Sequence, residues 1–281
     1  MIHRIRGTLK KIVRRGTLLH TMAETSHRYL WKHAPRFFDW KPNLLKIDID
    51  ITIRCNLRCW NCSRAVRHAP SDESMSVEQL SKFVKESIDM HWKWREIKLV
   101  GGEPTMHPQF GHVLEALTPY RKMYPDCMVR VVTNGFGEHV RGVLSSLPDW
   151  VTVDNSGKTS NENRFQSYNV APIDIDKFRN DDFSRGCFFM EYCGMALSRN
   201  GYYCCAAGAS VDRVFGFDIG LKSLSTVTNR TLKDQLTRLC RYCGHYKYNY
   251  KEEWVTAAEI SPSWRDAFER YRKERPALTP Y

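Results

Sequence analysis

The sequence predicts an α/β fold, a parallel β/α barrel core followed by a small cysteine-rich module, and three observations carry that prediction. Between residues 45 and 156, short β-branched runs alternate with segments of helical periodicity, the pattern of parallel βαβ units. Directly after the first of those runs come Cys55, Cys59 and Cys62, close enough for one loop to wrap a single object. From Cys187 onward the composition shifts to closely spaced cysteines, aromatics and glycines.

Residues 45–52 alternate apolar and acidic side chains as a strand does, and the cysteine loop leaves the C-terminal end, where a β/α barrel carries its reactive loops. Residues 76–90 read as a helix with Ser76 as cap and Glu78 in the first turn. Residues 97–100 are a short buried strand stopped by Gly101-Gly102, and Phe110–Met123 has helical periodicity. Residues 129–132 form a β-branched run stopped by Thr133-Asn134-Gly135, residues 139–147 are helical, and residues 150–153 form another strand. Residues 174–184 are polar and charged and read as a bridge rather than a core element, and a helical stretch follows at 232–239.

A chain of 281 residues with 42% hydrophobic composition can bury a full core, and it suits one catalytic domain with a smaller appendage. No apolar run is long enough to cross a bilayer and no secretory signal is visible, so a cytoplasmic location is expected. Ten cysteines grouped as a triad and Cys-x-x-Cys pairs fit metal ligation in a reducing compartment better than disulfides. The net charge of +12 favours partners bearing phosphate, carboxylate or anionic lipid headgroups. Much of it lies in Arg4, Arg6, Lys10, Lys11, Arg14 and Arg15, interleaved with Ile2, Ile5, Leu9, Ile12 and Val13 at helical spacing. Such a helix either lies on an acidic membrane face or a partner protein, or packs its apolar stripe on the core with its basic side solvated.

Three thiolates spaced as in Cys55-Asn-Leu-Arg-Cys59-Trp60-Asn-Cys62 can hold three of the four irons of a 4Fe–4S cubane, leaving the fourth iron open to a ligand that is not protein. A zinc site with His68 as fourth ligand is the alternative, but it explains neither the preceding strand nor Gly101-Gly102-Glu103-Pro104 downstream. The motif Cys-x3-Cys-aromatic-x-Cys resembles that of the radical S-adenosylmethionine (SAM) superfamily, and the resemblance covers residues 45–156. It implies that SAM chelates the open iron and is cleaved to a 5′-deoxyadenosyl radical that takes a hydrogen atom from substrate. It also implies that the segment Gly101, Gly102, Glu103 and Pro104 binds the amino group of SAM, that Trp60 contacts adenine, and that Thr133, Asn134, Asn155 and Ser156 reach its carboxylate and ribose. Ordinary turn chemistry is the competing explanation for those last four. Met106-His107-Pro108 belongs to the start of a helix rather than to catalysis.

The region from Cys187 resembles the auxiliary-cluster extension called a twitch domain, a reduced form of the SPASM domain. The resemblance implies that Cys187, Cys205, Cys240 and Cys243 hold a second 4Fe–4S cluster in full; the spacing from Gly201 leaves the choice between Cys204 and Cys205 open, and Cys127 and Cys193 remain as thiols. A structural zinc knuckle is the competing reading. The superfamily core has six βα units, whereas about 125 residues separate Cys62 from Cys187, so a truncated, partial barrel is expected. The expected organisation is a basic arm over 1–44, the barrel over 45–172, a bridge over 173–186, the auxiliary module over 187–250 and a C-terminal helix within 251–281.

No cobalamin-binding or RNA-binding appendage accompanies the core, and nucleic acid is not expected as a partner. The whole resembles the compact dehydrogenases of aminocyclitol antibiotic biosynthesis, which implies oxidation of a carbinol in a sugar, cyclitol or nucleotide-linked sugar, with the auxiliary cluster as electron acceptor. Arg179, Arg185 and Tyr203 are candidates for the base that takes the hydroxyl proton, and a surface or packing role is the competing explanation for each. The expected partners are that small substrate, anionic where it is nucleotide-linked, and an external electron donor such as flavodoxin or ferredoxin. Peptide maturation is the alternative enzyme reading, and a non-catalytic iron–sulfur electron-transfer protein is the alternative from another class.

Overall fold

Isoleucine and acid alternate along Lys46–Thr52, and the resulting strand, β1, is the centre of the fold. The computed structural model describes residues 41–162, 168–246 and 260–281, so the basic helix expected over the first forty residues lies outside the described residues. β1 pairs in parallel with β2 (Glu96–Gly101), which pairs with β3 (Met128–Thr133) and that with β4 (Val151–Asn155). The other edge of β1 takes β5 (Met195–Ser198), also parallel, and β6 (Gly201–Tyr203) returns antiparallel, giving the order β4-β3-β2-β1-β5-β6. The sheet is open, not a closed barrel, as a truncated α/β core requires.

The helices follow their sequence signals. Ser76 caps α1 (Val77–Asp89) in a box with Gln79, each side chain bonding the other's backbone amide. α2 (Phe110–Met123) and α3 (Glu138–Ser145) complete the crossovers. Ile47, Ile49, Ile51, Ile97, Leu99, Val129 and Val131 share one sheet face and pack in the core with Leu80, Phe83, Val113 and Leu117 of the helices.

The opposite face departs from the apolar run usual in a parallel sheet. Asp48, Lys98 and Arg130 sit in register across β1, β2 and β3, with Lys46 and Glu96 one step before them. Lys98 Nζ lies 3.2 Å from Asp48, Arg64 Nε 2.7 Å from Asp50, and Glu96 is bridged by Lys46 at 3.3 Å and Arg130 at 3.2 Å. Buried charges persist only when paired in this way.

The segment assigned to the auxiliary module supplies β5 and β6 and so completes the core sheet. It continues through α4 (Phe188–Cys193), which precedes them, then α5 (Ala206–Phe215) and α6 (Asn229–Leu239). The bridge is less polar than it reads, because Phe178 and Phe183 within it are buried. α7 (Pro262–Lys273) buries Trp264, Phe268 and Tyr271. Among the described residues no helix is long and apolar enough to cross a membrane.

Candidate active site

The cysteine loop starts where the β1–β2 ladder slips, between Asp50 and Thr52. Two glycines make room for it. A Cβ on Gly101, whose φ is +144°, would stand 2.1 Å from the Thr52 carbonyl oxygen, and one on Gly102 would stand 2.2 Å from that of Arg54. The sequence reading gave these glycines to a ligand; the structure shows that β2 needs them to touch the root of the cysteine loop.

Glu103 is likewise drawn inward. Fully buried, its carboxylate accepts from the Thr105 amide at 3.3 Å, the Thr105 and Thr133 hydroxyls at 2.8 Å each, and the Asn134 amide at 2.8 Å. The side chain expected to present a carboxylate to SAM is therefore a knot tying the ends of β2 and β3 together, and Pro104 opens a short 3-10 turn behind it. Thr133 is one strand of that knot. Asn134 reaches the loop instead: its Nδ2 donates to Asn56 Oδ1 at 2.9 Å and lies 3.8 Å from Cys55 Sγ. Asn155 closes its own turn by accepting from the Gly157 amide at 2.8 Å, and the Ser156 hydroxyl donates to the Thr133 carbonyl at 3.0 Å, so both do turn chemistry.

The loop after β4 folds back over the cysteines. The Glu162 amide donates to Cys59 Sγ at 3.2 Å, Lys158 Nζ lies 3.8 Å from the same sulfur, the Trp60 amide donates to the Glu162 carbonyl at 3.0 Å, and the Arg58 amide to Asn161 Oδ1 at 2.5 Å. Lys158 and Asn161 escaped the sequence reading, and their position just beyond Asn155-Ser156 was the available signal. Burial, with lesser contributions from Cys62, Glu103 and Cys59, pushes the Cys55 thiol up to about 11; metal ligation displaces such a proton. Trp60 Nε1 and both polar atoms of the Asn61 side chain are buried without a hydrogen-bond partner, and the Arg67 guanidinium lies 4.2 Å from the Trp60 ring centroid. His68 does not join the cysteines; it stacks on Phe268 at 3.8 Å, and burial lowers it to about 4. His107 uses both ring nitrogens, on the Met75 carbonyl and the Gln109 amide, and is structural.

A second centre lies among α4, α5 and α6. One cavity is lined by five cysteines, Cys187, Cys204, Cys205, Cys240 and Cys243, together with His245 and apolar side chains. Cys187 precedes α4, Cys240 ends α6, and Cys205 caps α5 with its sulfur accepting from the Gly208 amide at 3.3 Å. Both Cys204 and Cys205 face the cavity. The neighbouring Cys204 side chain, together with the Gly208 amide, holds the Cys205 thiol below its ordinary value. Among the described residues no three His, Cys, Asp or Glu side chains converge closely enough to grip one ion, and the cavity's donors are five soft thiols in otherwise mostly apolar surroundings. That donor set fits a polynuclear sulfur-bound group. Cys193 is close enough to Asp48, Lys98 and Arg64 to be influenced by them, and Cys127 is a buried core thiol.

At the ends of β1, β2 and β5, a cleft is lined by Asp50, Arg64, Gly101, Ser198, Ser210 and Arg213 among others. Arg64 lies two residues past Cys62, and Ser210 and Arg213 lie on the helix that Cys205 begins, so the cleft is walled from both centres. Arg213 donates to the Arg64 carbonyl and the Tyr271 hydroxyl. None of Arg179, Arg185 and Tyr203 lines it. Tyr203 is buried and donates to Asp212 at 2.6 Å, and Arg179 pairs with Asp176 on the surface.

Residues 49–154 match the family model described as the radical SAM superfamily. A protein named GTP 3′,8-cyclase from Campylobacter jejuni subsp. doylei is 33% identical over 101 residues, 35% of this chain and 29% of that protein. Its namesake from Aliarcobacter butzleri is 31% identical over 90 residues, 31% of this chain and 26% of that protein. The matches thus span less than a third of these curated relatives. Among solved structures, BtrN in complex with AdoMet and 2-DOIA is 14% identical, covering 77% of this chain and 100% of that one, with a TM-score of 0.46. Streptococcus suis SuiB bound to S-adenosylmethionine is 13% identical, covering 50% and 29%, with a TM-score of 0.29.

Proposed function

With residues 49–154 a radical SAM domain, we propose that the protein is a radical SAM enzyme that oxidises a carbinol carbon of a small sugar or cyclitol-type substrate. Cys55, Cys59 and Cys62 would hold the cluster that binds SAM, and Cys187, Cys205, Cys240 and Cys243 a second one. When bound and reduced, the first cluster supplies the electron that cleaves SAM. The observation that carries the reading is the second, thiol-lined cavity, whose Cys205 opens the same helix that brings Ser210 and Arg213 to the cleft. Turning a carbinol into a ketone removes two electrons and two protons. One electron and one proton leave as the hydrogen atom taken by the 5′-deoxyadenosyl radical and the other proton leaves the hydroxyl, so one electron still needs an acceptor beside the cleft. Ser198, Ser210 and Arg213 at the cleft wall carry hydroxyl and guanidinium groups of the kind that bond a polyhydroxylated ring.

The names of the curated relatives favour a nucleoside triphosphate as the second reading. Against it, the cleft's Arg64 is matched to Asp48 and Asp50, and Arg199 to Glu73. A triphosphate would call for several cations without carboxylate partners, and among the described cleft residues Arg213 alone has none. An external flavodoxin- or ferredoxin-like donor completes the proposed system, and contact of the basic N-terminal segment with a membrane or partner belongs to the same proposal.

Anaerobically purified protein should carry about eight irons, four per cubane. Replacing Cys240 and Cys243 together by Ala should leave slow formation of 5′-deoxyadenosine while ketone from a cyclitol or sugar substrate disappears. Undiminished ketone from a variant shown to lack the second cluster would end the electron-acceptor role, and a cyclised product from GTP would establish the second reading.

A further inference from the structure

The wall of the second cavity is apolar apart from its thiols, with Phe189, Met190, Ala207 and Leu239 among its side chains, and the Tyr246 hydroxyl is turned to the Asp182 carbonyl at 3.3 Å. His245 is different. Its imidazole lines the cavity, yet Nδ1 is buried with no hydrogen-bond partner among the described residues. The ring is held by stacking on Phe189, with centroids 4.5 Å apart, and by Tyr168, tilted at 5.5 Å. The turn that carries it follows directly on Cys243 and is pinned by the Gly244 amide donating to the Tyr168 carbonyl at 2.7 Å.

A buried nitrogen without a partner is costly, and sites of this kind are completed by an occupant. Once four cysteines have given up their protons to bind a cluster, its sulfurs are acceptors. The buried nitrogen can then be satisfied only as a donor. We propose that His245 Nδ1–H donates a hydrogen bond to a sulfur of the auxiliary cluster and thereby raises that cluster's reduction potential. The bond is stronger to the reduced, more negative cluster, so it favours reduction. A cluster tuned upward is a better acceptor for the electron left after hydrogen abstraction. The proposal rests on the reading that this cavity holds an iron–sulfur cluster.

The test uses the full chain with Cys55, Cys59 and Cys62 all changed to Ala, so that the auxiliary cluster can be observed alone by metal analysis and by redox titration followed by electron paramagnetic resonance. His245→Asn keeps an amide N–H near the position of Nδ1, whereas His245→Gln carries it near that of Nε2, and both are conservative enough to preserve the packing against Phe189. The Asn variant should keep the parent midpoint. The Gln variant, and His245→Phe where it loads iron, should shift down so that the reduced-to-oxidised ratio at a fixed poise falls about tenfold, about 59 mV for a one-electron couple. Iron-loaded Gln and Asn variants with equal midpoints would overturn the role of His245 while leaving the cluster reading intact. Zinc, or fewer than about four irons, in the parent with native His245 would instead overturn the cluster reading and the proposal with it.

Discussion

Glu103 offers the sharpest test of how the site is built, because the same side chain is assigned to SAM by motif and to the scaffold by its contacts. Changing Glu103→Gln keeps its size and removes its charge. The carboxylate accepts three hydrogen bonds at Oε1 and one at Oε2. An amide group placed at Oε1 meets the Thr105 N–H, and placed at Oε2 it meets the Asn134 N–H, so in either orientation one buried backbone donor faces another donor. Leaving one such donor unsatisfied costs about 1–3 kcal/mol, and losing the charge from the remaining bonds adds about 1 kcal/mol. At about 2–4 °C per kcal/mol for a domain of this size, the iron-loaded protein without SAM should melt roughly 4–16 °C lower. Differential scanning fluorimetry under anaerobic conditions, with and without saturating SAM, measures this. The fall should be present without SAM and of similar size with it. A variant whose melting temperature is unchanged without SAM, and which loses only the stabilisation SAM confers, would show that the carboxylate serves the ligand and that the knot contributes nothing.

Other outcomes follow from single contacts. Cys59→Ala should abolish SAM cleavage while about four irons remain in the second centre, and retained cleavage would mean that the catalytic cluster lies elsewhere. Gly101→Ala places a Cβ 2.1 Å from the Thr52 carbonyl oxygen and should cost at least about 2 kcal/mol in a denaturant titration. Gly111→Ala, inside α2 with nothing within 4 Å of the new atom, should stabilise by up to about 1 kcal/mol; equal effects at the two positions would refute the close-approach argument. His68, held at about 4 by burial and by Arg272 and Arg67, binds fewer protons in the folded protein than its ordinary value near 6.5 allows once unfolded. Stability should therefore fall as the pH drops from about 6.5 toward 4, and His68→Phe should flatten the change in melting temperature between pH 7.5 and 5.5. An unchanged slope would remove His68 from that dependence.

The parts of the site legible in the sequence are those whose chemistry is local. Three cysteines within eight residues and a strand before them need no tertiary information, and the helix capped by Ser76 announces itself through Gln79 three residues on. The scaffold contacts of Glu103 were not legible because its donors come from Thr105, Thr133 and Asn134, a set that only the folded sheet assembles. β5 was hidden for another reason: Met195-Ala196-Leu197 is buried on both faces, so it shows no alternation, and its cysteine-rich neighbours drew it into the appended module. Arg64 and Arg213 come from opposite halves of the chain, and neither has a spacing that marks it.

The placement of β1 between β2 and β5 also sets an order of assembly. On a ribosome, β1 to β4 emerge with one side of β1 bare, a row of unpaired amides and carbonyls beside the cysteine loop, until the roughly 40 residues between Asn155 and Met195 have been made and β5 can dock. The piece matched by the family model, residues 49–154, would keep that raw edge permanently, and it is expected to self-associate when produced alone. Iron delivered to Cys55, Cys59 and Cys62 before β5 arrives would meet a loop whose supporting strand is still half paired, so cluster insertion belongs after chain completion.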